Sequence, residues 1–67
     1  MPTQEQRRQA RTRQRHAFAE LARMRNSGDF NMLTDSHGIA EQLVWDEWAV
    51  DTDEALRFLA LWREGSR

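Results

Sequence analysis

The stretch from Pro2 to Arg25 reads as one continuous helix, and it commits over a third of a 67-residue chain to a single rod. Helix formers dominate it, and Thr3 with Gln6 matches the S/T-x-x-Q spacing of a capping box. Asn26-Ser27-Gly28 ends it, with Gly28 or Asn26 suited to the left-handed cap. A helix of some 24 residues spans roughly 36 Å, against about 21 Å for one of 14. No compact partner elsewhere in the chain is that long, so one end of the rod must overhang.

The rest of the chain offers two shorter helices. One is expected from Ser36 to about Ala49, preceded by three N-capping residue types in Thr34, Asp35 and Ser36. The other is expected from Asp51 to Glu64, opened by the acidic capping sequence Asp51-Thr52-Asp53-Glu54 and stopped by Gly65. The link between them is very short, which implies a helical hairpin or a sharp corner. Alternating apolar residues of the strand type are missing. The expectation is an all-α fold of three helices, in one domain over residues 1–67: a long basic N-terminal helix plus a short acidic hairpin.

At helical spacing, Ala10, Ala17, Leu21, Ala22 and Met24 share one side of the first helix. Ile39, Ala40, Leu43, Val44, Trp48 and Val50 share one side of the second, and Ala55, Phe58, Leu59 and Trp62 one side of the third. Phe30, Met32 and Leu33 are expected to tuck the intervening loop against that core. The first half of the long helix offers a core only Ala10, so residues 2–14 should form the overhanging arm. Apolar side chains are also left over. Trp45 falls off its stripe, and Leu56, Ala60 and Leu61 spread the apolar surface of the third helix over most of its circumference. A chain this short buries only about 60% of its unfolded surface, and it has no cysteine for a disulfide. Small domains of this kind often gain core by associating. A homodimer or a protein interface using Trp45, Trp48, Leu56, Leu61 and Trp62 follows as an expectation.

The net charge of −1 conceals a segregation. Residues 1–25 carry seven arginines against Glu5 and Glu20, whereas residues 26–67 carry three arginines against nine carboxylates. Lysine is absent; every basic residue is arginine, which fits a GC-rich genome. Arg7, Arg8, Arg11, Arg15 and Arg25 cluster within about a third of the circumference of the long helix, with Phe18 among them. Such a stripe can meet nucleic acid, an acidic protein surface, or solvent alone. In composition, Gln9 to Ala17 (QARTRQRHA) resembles the short arginine-rich helices with which phage antitermination proteins and some viral proteins hold RNA hairpins. That resemblance implies an RNA-binding arm, although glutamine and threonine stand where such helices add arginine. The acidic hairpin, with Glu41, Asp46, Glu47, Asp51, Asp53, Glu54 and Glu64, would repel phosphate, so any nucleic acid has to keep to the arm.

Signs of catalysis or metal binding are weak. Ser36 and His37 are sequence neighbours, which on a helix do not face each other. His37 and Glu41 have a workable ligand spacing but no evident third ligand. Asp51-x-Asp53 lacks the later residues of a calcium loop, and Gly28, Gly38 and Gly65 are isolated rather than part of a phosphate loop. His16 sits at the apolar edge of the long helix. Glu47 projects toward the apolar stripe of the second, either reaching water at the helix end or forming a partly buried pair with an arginine. No cofactor, metal or enzyme activity is expected. Without an apolar run long enough to span a bilayer or serve as a signal, the chain is expected to be cytoplasmic. The functional expectation is a non-enzymatic protein-binding module, a regulator or inhibitor of the kind carried by phages and plasmids. The alternative is an RNA- or DNA-binding regulator using the arginine stripe.

Overall fold

A computed structural model describes residues 3–65. Its elements are α1 (Gln4–Ser27), α2 (Ser36–Trp45) and α3 (Thr52–Gly65), and no strand occurs among the described residues. The start of α1 is fixed by a complete capping box. The Gln6 amide donates to Thr3 Oγ1 at 3.1 Å, and the Thr3 amide donates to Gln6 Oε1 at 3.0 Å. Its end is fixed by Gly28, which takes φ 75° and donates its amide to the Met24 carbonyl. A side chain there would meet no neighbour, so glycine is required by the backbone angle alone.

The helices run up, down and up. Arg13 in the first half of α1 reaches Glu54 in the first turn of α3, and Arg25 near the end of α1 lies over Trp62 near the end of α3. These two helices are therefore parallel. Arg63, late in α3, donates to the Met32 carbonyl at 2.7 Å and to Ser36 Oγ at 3.1 Å, which places the end of α3 beside the start of α2. The core between them consists of Ala17, Leu21 and Met24 from α1, Ile39, Ala40 and Leu43 from α2, Ala55, Phe58 and Leu59 from α3, and Ala49 from the corner. All are apolar, and the periodicity predicts each of them except Ala49, whose burial depends on how the corner folds.

That corner differs from expectation. α2 ends at Trp45 rather than near Ala49, because Glu47 adopts φ 64° and reverses the chain. The Glu47 amide donates to the Val44 carbonyl at 3.1 Å and the Trp48 amide to the Leu43 carbonyl at 2.9 Å, the two bonds of a Schellman termination. The link from Asp46 to Asp51 is thus a folded corner rather than a minimal turn. Its geometry turns Trp48 and Ala49 inward and leaves Val50, expected in the core, 63% exposed. Glu47 is exposed at the helix end and makes no ion pair with an arginine among the described residues.

The loop before α2 tucks in only partly. Phe30 and Met32 pack on the core, but Leu33 is 80% exposed. Asn31 and Asp35 tie the loop to itself. Asn31 Oδ1 accepts the Leu33 amide, and Asp35 Oδ2 accepts the Asn31 amide. These bonds give the loop its own shape and hold Leu33 outside. The arm is also shorter than expected. Gln4 to Gln9 are exposed, but Arg13 and Gln14 are already half-buried, so the free part ends near Thr12 rather than at residue 14.

Candidate interaction surfaces

The arginine stripe divides in two. Gln4, Arg7, Arg8 and Arg11 in the arm, and Arg15 just beyond it, recur at spacings of three and four, which stacks them on one face of α1. Gln4, Arg7, Arg8 and Arg11 line a shallow cleft of about 290 Å³. Arg7, Arg8, Arg11 and Arg15 are exposed, and none lies within 4.0 Å of a carboxylate among the described residues. The C-terminal part of the stripe is engaged internally. Phe18 is half-buried against the core, and the Arg25 guanidinium sits 5.4 Å from the centre of the Trp62 ring.

Arg13 lies on a different face of α1 from these residues. Its Nε donates to Glu54 Oε1 at 2.8 Å and its Nη2 to Glu54 Oε2 at 3.0 Å, a two-pronged pair partly shielded from water. The bonds from Arg13 hold the Glu54 carboxyl below the usual carboxylate range, and Glu54 in turn raises Arg13. Glu54 also accepts the Val50 amide, while Asp51 accepts the Glu54 amide at 2.8 Å. The Glu54 carboxylate therefore clamps the corner and fastens α1, while the Asp51 carboxylate caps the start of α3. The capping pattern of Asp51 to Glu54 was legible in sequence. The choice of Arg13 as partner required knowing which face of α1 meets α3.

The second surface centres on Trp45, which is 83% exposed. Two shallow clefts flank it. One, of about 350 Å³, is lined by Phe30, Gly38, Glu41, Gln42 and Trp45. The other, of about 460 Å³, is lined by Glu41, Val44, Trp45, Glu47 and Thr52. The Phe30 ring crosses α2 at Gly38, where an added Cβ would sit 3.5 Å from it. The result is an indole standing between two hollows, both lined by Glu41 and one also by Glu47.

The other apolar residues assigned to an interface are more deeply placed. Trp48 stacks on His16, with ring centres 4.8 Å apart and planes 20° from parallel. Leu56 and Trp62 are half-buried against the core, and Leu61 is 41% exposed. Exposed Leu33 and Val50 were assigned to the core instead. No polar or charged residue is buried, and no buried side-chain nitrogen or oxygen lacks a hydrogen bond, among the described residues. In the same residues, no group of three or more His, Asp or Glu side chains is placed to hold a metal ion. No described helix is long and apolar enough to cross a membrane. No family model, curated protein or solved structure matches this chain.

Proposed function

We propose that this chain is a small non-enzymatic interaction module, a regulator or inhibitor that binds another protein and works as a homodimer. The observation that carries this reading is Trp45, a large aromatic left 83% exposed between two hollows in a chain that buries its other aromatics wholly or partly. Tryptophan is the side chain most enriched among residues that dominate binding energies, because it presents a large rigid surface at small entropic cost.

The test is capture from the lysate of the source cell, with and without nuclease, by the wild type and by Trp45→Ser. A protein retained by the wild type, insensitive to nuclease and lost with Trp45→Ser, supports the reading. Retention that nuclease abolishes overturns it.

The alternative, nucleic-acid binding by the arm, draws on the exposed row Arg7, Arg8, Arg11 and Arg15 and its lack of carboxylate partners among the described residues. It requires affinity that falls steeply with salt, with a slope flattened by Arg11→Ala combined with Arg15→Ala. No retention on nucleic acid at low salt removes it.

A further inference from the structure

α1 fastens itself to its own chain by two kinds of contact, an arginine forked onto a glutamate (Arg13–Glu54) and an arginine laid over an indole (Arg25–Trp62). The same chemistry recurs on the surface with the partners separated. Arg7, Arg8 and Arg11 stand exposed on the arm, with exposed Arg15 one turn further along, and exposed Trp45 stands between exposed Glu41 and Glu47. Asp46, Asp51 and Asp53 add to the acidic side, and none of these five carboxylates lies within 4.0 Å of an arginine among the described residues.

The two sets occupy the same end of the molecule. Arg13 is level with the first turn of α3, so residues 4–12 project past the end where α2 stops and α3 begins. Trp45 is the last residue of α2 at that end. A second copy approaching end to end, with its arm antiparallel to the first, would carry its own arginines alongside Glu41, Trp45 and Glu47. The projecting turns are about 13 Å long, enough to cover the roughly 6 Å of helix rise from Glu41 to Trp45, after which the chain turns at Glu47. Twofold symmetry makes the contact twice and closes the assembly at two chains.

We propose that the arm of one copy, through Arg7, Arg8 and Arg11, docks on the acidic Trp45 end of a second copy, and that the two exchange arms. This rests on the reading of the Trp45 end as a contact surface, and it names the occupant of that surface when no other partner is bound. Arginine side chains suit it doubly: the guanidinium pairs with Glu41 and Glu47, and its planar head and apolar stem cover the indole.

Charge reversal tests the proposal, because the reversals are made outside the buried core. One variant carries Arg7→Glu and Arg11→Glu, the other Glu41→Arg and Glu47→Arg. Mass is read by light scattering or sedimentation up to about 300 µM at about 50 mM salt, where exposed charges are weakly screened. The wild type is expected at twice 8.0 kDa, falling toward 8.0 kDa at high salt. Each variant alone, with unchanged helical circular dichroism, is expected to dissociate roughly tenfold or more readily. Their equal mixture is expected to regain the dimer, since both arm contacts are then complementary.

A monomeric wild type, a dimer indifferent to either reversal, or a mixture that stays monomeric overturns the proposal. If the wild type is monomeric while its arm binds a labelled oligonucleotide and Arg7→Glu with Arg11→Glu abolishes that binding, the arm serves nucleic acid instead. If the wild type is monomeric yet Trp45→Ser still loses a captured protein, the arm exchange fails and the protein-binding reading stands. A charge-dependent dimer that captures no protein keeps the arm exchange and removes the foreign partner.

Discussion

Glu47 holds a backbone conformation that residues with a Cβ adopt at a cost. Its φ of 64° is the left-handed region where glycine is the usual occupant of a helix-ending position. Glu47→Gly is expected to raise the free energy of unfolding by up to about 1 kcal/mol, the relief of strain exceeding glycine's added freedom in the unfolded chain. Glu47→Val, β-branched at the same angle, is expected to lower it. Urea midpoints measured at high salt, where chain association is suppressed, check both. Glu54 gives a second prediction at this scale. Its carboxyl is held below the ordinary range in the folded protein, so its charged form stabilises the fold above the unfolded-state value. That contribution is lost as pH falls through the lower folded-state value. Glu54→Gln keeps the shape but removes the charge. It is expected to cost about 1–2 kcal/mol at neutral pH, a gap that narrows as acid protonates the Glu54 carboxyl in the folded protein. Denaturant titrations of both proteins from neutral to acid pH provide the measurement. A gap that persists at low pH would show that geometry, not charge, is what Glu54 supplies.

α1 joins two unlike parts. From Arg13 onward it is held by Glu54, by the buried face Ala17, Leu21 and Met24, and by the Arg25–Trp62 stack. Before Arg13 it is held by its own hydrogen bonds and the Thr3 capping box. Short isolated helical segments are marginal in water, so the cap is the main local device keeping those turns wound. Thr3→Ala is expected to cost about 1 kcal/mol of local helix stability. That loss should appear as faster amide exchange over residues 4–12, with the thermal midpoint of the bundle almost unchanged. A global drop in midpoint would mean that the arm is coupled to the core. Across the element, the sequence pattern was a good guide to length, caps and the buried face, and a poor guide to which residues of the basic stripe stay free. Phe18 and Arg25 fall in the basic stripe by angle, yet they are drawn against the core and Trp62 because long side chains reach well beyond their helical position.

At the scale of the whole molecule, stability rests on one small apolar core without disulfide or metal. Leu21 is fully buried between the three helices. Leu21→Ala is expected to cost about 2–5 kcal/mol, comparable to the entire stability of a domain this size. Loss of the cooperative thermal transition is the expected readout. By contrast, Leu33→Ser, at a side chain 80% exposed, is expected to leave stability within about 0.5 kcal/mol of wild type, although an apolar residue in that loop was expected to pack on the core.

By itself the amino-acid sequence determined the helical class, the number of helices, the caps of α1, the overhang and the separation of charge. Each of these follows from residues within a turn or two of one another, where propensity, capping and spacing act directly. Tertiary structure alone decided where α2 stops, why Ala49 is buried and Val50 is not, and which arginine meets Glu54. Those outcomes depend on contacts between residues far apart in the chain. A single reversal at Glu47 redirects Trp48, Ala49 and Val50 together, and no local pattern announces it because glutamate is not the residue that such a turn prefers.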